Sequence, residues 1–287
     1  MKKTIFTITI LIIIAAMLFT GCDVLVRVDG NDITGSGDLE TRQFDFIDFT
    51  RVDIGSAFEY EIVQADTFSV SVTADDNLFD DIEVTKEGQT LKINLSPFWN
   101  FGAITLEAAI TMPRLTGLES SGATRGMVSG FSSGDNLDLN VSGASRVDLV
   151  EMTTGDVKGN ISGASELEGE LTTGDIDLQV SGASDIKGSL TARNVEYEVS
   201  GASKIQLDGS ADDIVIDASG MSRIRLGDFT VSNADITLSG ASSCDINVTG
   251  RIDIDLSGLS ELEYTGQPVL GSIEMSGGSS IDNKSGD

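Results

Sequence analysis

The chain has 287 residues, 46 of them acidic and 18 basic, a formal charge of −28 and no histidine. A surface this acidic repels nucleic acid, and the missing imidazole removes Ser-His-Asp and Cys-His catalysis together with the usual zinc and non-haem iron sites. Glycine is used 32 times and proline only 3 times, which points to an all-β chain with many tight corners and few interrupted ladders.

Met1-Lys2-Lys3 precedes an uncharged stretch from Thr4 to Thr20, followed by Gly21-Cys22. A basic start, an apolar middle and a small residue before the cut describe a secretory signal. The stretch is shorter than the ~20 residues that a membrane span prefers. Leu18-Phe19-Thr20-Gly21-Cys22 looks like a bacterial lipobox, with Phe19 where Leu is usual. In that reading the Cys22 thiol receives a diacylglyceryl group and becomes the amino terminus after cleavage behind Gly21. Residues 1–21 are then the signal peptide and residues 22–35 a lipid-anchored tether. Each buried CH₂ of an acyl chain adds ~0.8 kcal/mol, so two or three chains hold a protein on a membrane. With Cys22 acylated, Cys244 has no intrachain partner, and a disulfide framework is excluded.

Residues 36–113 hold eight of the twelve Phe (44, 46, 49, 58, 68, 79, 98 and 101) and the single Trp, Trp99. Phe58–Ile62, Phe68–Val72 and Leu91–Leu95 alternate apolar and polar residues as strands do, and Lys86-Glu87-Gly88-Gln89 suits a hairpin turn. A bulky aromatic region ahead of a thin repetitive one is expected to cap the first coils of a solenoid and hide its edge.

From residue 114 to 283 the chain repeats. Glycines 122, 143, 163, 182, 201, 220, 240, 258 and 277 each follow a serine, at intervals of 18 to 21 residues. Asn194-Val-Glu-Tyr-Glu-Val199 shows the unit: strict period-2 alternation, then Ser-Gly-Ala-Ser, then a shorter strand. The glycines are read as corners at positive φ. The second strands centre on Val147, Leu167, Ile186, Ile205, Ile224, Ile246, Leu262 and Ile281, which leaves Cys244 in the outward row of Arg146, Glu166, Asp185 and Lys204. Thr153–Asp156 and Thr172–Asp175 (Thr-Thr-Gly-Asp) read as polar turns. The fold class predicted is a right-handed parallel β-helix with coils of about 19 residues. At ~4.8 Å per coil, eight intervals give a rod of ~40 Å. A leucine-rich horseshoe lacks its Leu-x-x-Leu-x-Leu pattern here, and propeller repeats are about twice as long.

Several repeated residues are candidates for function. Asp135, Asp156, Asp175, Asp213 and Asp235 recur at the turns and could stack around calcium, but Asp at such turns mostly bonds local backbone. The serines flanking each glycine could meet sugar hydroxyls, or could satisfy the corner itself. Lys204, Arg223 and Arg225 lie near Glu196 and Glu198 by repeat position, the nearest thing to a set of acids and bases. After the last repeat only residues 284–287 follow. An uncovered final coil would be guarded by Asp282, Lys284 and Asp287, giving a monomer with end-to-end dimers as the main risk.

Gly35–Ser56, Val72-Thr-Ala-Asp-Asp-Asn-Leu78, Gly88–Ile93 and the serial Ser-Gly-Ala-Ser units are similar to the putative autotransporter adhesin head, GIN domain family of bacterial envelope proteins, over about residues 35 to 283. The resemblance implies an exported β-helical domain and brings no catalytic or binding residues with it. No membrane barrel follows the repeats, so the lipid is expected to serve as anchor. The function expected is a non-catalytic envelope lipoprotein, at the outer membrane or periplasmic face, that binds a glycan or another envelope protein and needs no cofactor or metal. The alternative is a polysaccharide lyase or hydrolase working with carboxylates, Arg and Lys.

Overall fold

A computed structural model describes residues 34–96 and 102–284. Cys22 with its lipobox, Phe98, Trp99, Phe101 and Asp287 lie outside the described residues. The alternating segments form β1 (Leu39–Phe44), β2 (Arg51–Ile54), β3 (Glu59–Gln64), β4 (Ser69–Asp75), β5 (Ile82–Glu87), β6 (Thr90–Leu95) and β7 (Leu106–Met112) in the first part. The repeats form β8 (Gly117–Ser120), β9 (Arg125–Ser129), β10 (Leu137–Val141), β11 (Arg146–Thr153), β12 (Val157–Ile161), β13 (Glu166–Thr172), β14 (Asp175–Val180), β15 (Asp185–Thr191) and β16 (Asn194–Val199). Then come β17 (Lys204–Ala218), β18 (Arg223–Leu238), β19 (Ser243–Leu256), β20 (Glu261–Thr265), β21 (Val269–Met275) and β22 (Ser280–Asn283).

Strands before each corner stack in parallel in the order β6, β2, β8, β10, β12, β14, β16, the second halves of β17, β18 and β19, and β21. Strands after the corner stack in the order β7, β3, β9, β11, β13, β15, the first halves of β17, β18 and β19, then β20 and β22. This is the parallel β-helix that the period predicts. Between the two faces run apolar rows, such as Leu178, Tyr197, Ile216, Ile236 and Ile254, all buried. No coil could bury such a row alone, so each coil depends on its neighbours.

Two details differ from the sequence reading. Cys244 pairs with Ile224 and Leu262, so it occupies the inward row, and Ile246 belongs to the next inward row with Leu226 and Tyr264. The extra serine, Ser243, takes the outward place instead, and burial pushes the Cys244 thiol pKa up. The polar turn also disappears after β16. Ala211, Val231 and Val248, which bury their side chains, stand where earlier copies carry Thr-Thr-Gly, so β17, β18 and β19 run through the former turn as single strands of 14 to 16 residues between one corner and the next.

Spatial order and chain order part at the amino end. The coil made by β2 and β3 lies between β6/β7 and β8/β9, so the segment 65–116 is an insertion that adds a further coil on the outside. There the pairing turns antiparallel: β5 on β6 through the Gly88 turn (φ 60°), β4 on β7, and β1 on β4. Phe49 packs on Phe68 with ring centres 4.9 Å apart, and the Arg42 guanidinium sits 4.0 Å from the Phe79 ring centre. A set of antiparallel strands thus ends the parallel ladder at the amino end. Its clamp is the Asp75-Asp76-Asn77 run. The buried Asp75 carboxylate accepts N–H bonds from Gly37 (2.8 Å) and Thr105 (2.7 Å), Asp76 accepts the Ser36 hydroxyl (2.6 Å), and Asn77 Oδ1 accepts the Ser36 N–H (2.9 Å).

The insertion also stacks Asp53 of β2 between Lys92 of β6 and Glu119 of β8. Burial first, and the Glu119 charge next, raise the Asp53 pKa above its ordinary 3.8.

All nine repeat glycines have φ between 73° and 81°. A Cβ at Gly182 would lie 2.3 Å from the Gly163 carbonyl oxygen, and the Ala183 N–H donates to that same oxygen at 2.8 Å. The coil-to-coil bond and the missing side chain are therefore one requirement. There is a tenth corner, at Ser56: it has φ 64°, and its carbonyl accepts the Ala123 N–H at 2.6 Å. Gly55-Ser56-Ala57 permutes the motif and hides it from a search for Ser-Gly.

From Gly143 on, a serine stands two places after each corner glycine, buried in every coil but the last, where Ser279 is half-buried, and turned back on the corner. Ser165, Ser184, Ser203, Ser222, Ser242, Ser260 and Ser279 donate to the carbonyl three residues earlier at 2.7–2.9 Å. Ser145 is the exception: among the described residues its buried hydroxyl has no partner.

Gly182→Val combines positive-φ strain with a backbone clash, and should cost about 3 kcal/mol or more, whereas exposed Lys204→Val should stay within about 0.5 kcal/mol. Denaturant midpoints read the contrast, and equal effects would reject the corner assignment. In the same assay Ser203→Ala should cost about 1 kcal/mol, while Ser145→Ala, which removes an unpaired buried hydroxyl, should be neutral or stabilising. Asp53 supplies a pH test. The folded state holds its proton more tightly than the unfolded chain, so stability falls as pH rises from 3.8 through the raised folded pKa. Asp53→Asn should therefore raise the melting temperature at about pH 7 and lose that advantage below about pH 4.

Candidate functional site

Period-2 alternation on in-register parallel strands sends every second side chain of the pre-corner face outward, directly over its counterpart in the next coil. Asn140, Asn160, Gln179, Glu198 and Asp217 form one such row. Beside it run the half-buried serines that precede the glycines. Together Asn160, Gln179, Glu198, Asp217, Ser162, Ser181, Ser200 and Ser219 line an open trough of about 590 Å³ across four coils. Asn160 Nδ2 donates to Asn140 Oδ1 at 3.3 Å, so the amides also tie coils to each other. The trough grades from carboxamides to carboxylates and presents donors and acceptors at every coil. Its outward row, Asn160, Gln179, Glu198 and Asp217, is exposed.

A second, smaller depression of about 310 Å³ lies on the post-corner face, between Lys187, Gln206, Asp208, Arg225, Asp228 and Asp245. Lys187 is tied to Glu166 and Asp185, both at 3.0 Å, and Glu166 also meets Arg146 at 2.9 Å. Those bonds raise the Lys187 pKa, its hydrogen bond to Asp185 foremost. Burial raises the Asp245 pKa, against the pull of the Gly227 N–H and Arg225. This is a mixed-charge surface in which Lys187 is already engaged by two carboxylates.

The candidates from the sequence fall apart in informative ways. Glu196 and Glu198 face out from β16 on the pre-corner face, while Lys204, Arg223 and Arg225 belong to the post-corner face of β17 and β18. The corner separates them, and the structure does not assemble them into one site. The turn residues form a ladder of a different membership. Asn136 accepts the Asp156 N–H (2.9 Å), Asp156 the Asp175 N–H (3.0 Å), Asp175 the Asn194 amide (2.8 Å) and Asp213 the Asn233 amide (2.7 Å). Asp235 is outside that row, its place held by Asn233, and Asp135 is turned to Arg114, which donates to both of its oxygens. Asp156, Asp175 and Asp213 thus accept from backbone or amides and Asp135 from a guanidinium, and among the described residues no group of three or more acidic or Cys side chains is placed to hold a metal ion. The serines after the glycines bond the corner carbonyls. Sequence reading missed the amide row of the trough, because a single Asn or Gln per coil carries no motif and only its stacking makes a surface.

Comparison with known proteins agrees with this architecture. Residues 48–170 and 160–268 match the family described as "Putative auto-transporter adhesin, head GIN domain". No curated protein matches the chain. A crystal structure of a putative lipid binding protein from Parabacteroides distasonis has 20% identity and a TM-score of 0.66, covering 88% of this chain and 99% of that one. A putative adhesin from Parabacteroides merdae has 16% identity and a TM-score of 0.67, with the same coverage. Another putative adhesin from Parabacteroides distasonis has 18% identity and a TM-score of 0.66, covering 88% and 100%. At these identities the structures share the fold, and the two family matches span most of the coils; the chain belongs to the auto-transporter adhesin head, GIN domain family.

Proposed function

We propose that the protein is a non-catalytic lipoprotein of the bacterial cell envelope whose β-helix presents the pre-corner trough to an extended glycan. Residues 1–21 act as its signal, Cys22 as its acylated anchor and residues 22–35 as the tether between membrane and coils. The observation that carries the binding role is the trough itself: equivalent amide, carboxylate and hydroxyl positions recur coil after coil along one open channel. Such groups bond sugar hydroxyls, and a repeating ligand meets a repeating row. No aromatic ring lines the trough, so each coil contributes little and affinity arises from several coils acting together. The regular interval of 18 to 21 residues between corner glycines leaves no insertion to fold over the trough and enclose a reaction. Family membership supports an exported, adhesin-like role.

The test uses the full chain expressed in a diderm host. Wild-type protein should partition with membranes and carry an acyl label, and Cys22→Ala should lose both. On arrays of envelope polysaccharides the wild type should bind, and Gln179→Ala with Glu198→Ala should reduce that binding at least tenfold without changing the melting temperature by more than a few degrees. Unchanged binding in the double variant would move the site off the trough, and turnover of a polysaccharide would replace the reading with an enzyme.

A further inference from the structure

With 46 acidic residues against 18 basic ones, this chain has carboxylates enough to pair every cation, and it pairs most of those around the middle coils. Arg146 is engaged by Asp148, Glu166 and Glu168, Lys187 by Glu166 and Asp185, and Arg193 by Asp175. Lys204, Arg223 and Arg225 differ. All three are exposed, and among the described residues none of their side chains makes an ion pair or a hydrogen bond. Parallel register sets Lys204 directly over Arg223 and Gln206 over Arg225, so the four outward places after the corner in these two coils hold three cations and no carboxylate. Strand spacing separates the Lys204 and Arg223 backbones by ~4.8 Å, and Arg225 follows ~7 Å along the strand. Like charges stacked in this way destabilise a sheet. The flanking coils do not relieve them. Asp185, in register with Lys204, bonds Lys187 at 3.0 Å, and the neighbour of Arg223 on its other side is Ser243. Asp208, Asp228 and Asp245 line the depression next to Arg225, and neither Lys204 nor Arg223 borders it.

We propose that Lys204, Arg223 and Arg225 bind a phosphoryl group brought by a ligand from outside the chain, on the face across the corner from the trough. The ammonium and the two guanidiniums are donors with no acceptor of their own. Left alone they repel one another, and around an anion they converge. A phosphoryl group brings three acceptor oxygens and up to two negative charges, and the guanidinium fork matches it with paired N–H bonds. Those two charges offset Lys204 and Arg223. Asp245, in register with Arg225 and acted on by its charge, offsets the third cation. A carboxylate would leave one of the stacked pair uncompensated. The rest of the chain narrows the choice further, because a formal charge of −28 repels a long polyanion and admits a single compact anionic group at this one place.

The full chain in mild detergent, titrated with inorganic phosphate and, separately, with sodium chloride at equal ionic strength, tests this. Phosphate should raise the melting temperature saturably and shift the Arg223 and Arg225 Nε–H resonances, and chloride should do neither. Lys204→Gln and Arg223→Gln should each weaken phosphate binding about tenfold. Neither should lower the melting temperature without phosphate, because each removes a stacked like charge. A hexose phosphate and a short-chain phosphatidic acid separate the sources. Tighter binding of the first assigns the group to a phosphorylated sugar, tighter binding of the second to a lipid headgroup, and no gain over phosphate to the free ion. Phosphate effects that chloride reproduces, or that survive both substitutions together, overturn the proposal. Neither substitution touches the trough, so binding of uncharged polysaccharides should stay at the wild-type level, and failure of the phosphate test leaves the glycan reading standing.

Discussion

Everything in this molecule hangs on the gap between one corner glycine and the next. Parallel pairing fixes the coil spacing at ~4.8 Å, and at that spacing the carbonyl of each corner lies where the next residue's Cβ would be, 2.3 to 2.7 Å away. Only hydrogen fits, and only a residue at ease with positive φ turns the chain there. Ser56 shows what the constraint consists of. It lies beside the end of β6, and its hydroxyl accepts the Leu95 N–H at 3.0 Å. A side chain is admitted at this corner, and it takes up a backbone N–H.

Once corners are stacked, register is no longer free. Equal repeat positions lie over one another, and a strict repeat in a chain this acidic would pile carboxylate on carboxylate. The sequence breaks its own periodicity at some of these places, although Glu198 still lies over Asp217 and Asp53 over Glu119. The turn row reads Asn136, Asp156, Asp175, Asn194, Asp213, Asn233, so most acids meet an amide or a backbone N–H. On the post-corner face Arg146 reaches Asp148, Glu166 and Glu168 at 2.7 to 3.1 Å. Single surface pairs of this kind contribute little, but they remove repulsion that in-register stacking would otherwise impose. Departures from the consensus at outward positions are thus part of the structure, and they also give the trough its gradient from amide to acid.

The coils, their period and the corner glycines were legible in the sequence because a period of about 19 residues with serine and glycine at fixed places has few structural solutions. What was illegible was set by contacts across long stretches of chain. Nothing local reveals that β2 and β3 belong between β6/β7 and β8/β9, since both neighbours are chosen by edge pairing. A single inserted serine moved Cys244 from an apparent outward place to the core, because burial of an apolar row outweighs the count of residues after the glycine. The Asp75-Asp76-Asn77 run was visible as a resemblance, and its work as a clamp on Ser36, Gly37 and Thr105 appears only when the insertion folds back.

A solenoid couples neighbours only, so the energy of any coil is shared between its two interfaces, and a terminal coil has half of what an interior coil has. At the amino end the deficit is made up by antiparallel strands, aromatic packing and a buried carboxylate with two N–H donors. At the carboxyl end the inward residues Leu270, Ile273 and Met275 keep their apolar character although one side is open. Their positions in the row, over Ile252, Ile254 and Leu256, set their character, since the same alternation that fills the interior coils runs on through β21. The contrast between the two described ends therefore gives the stack a direction, antiparallel at one and parallel at the other.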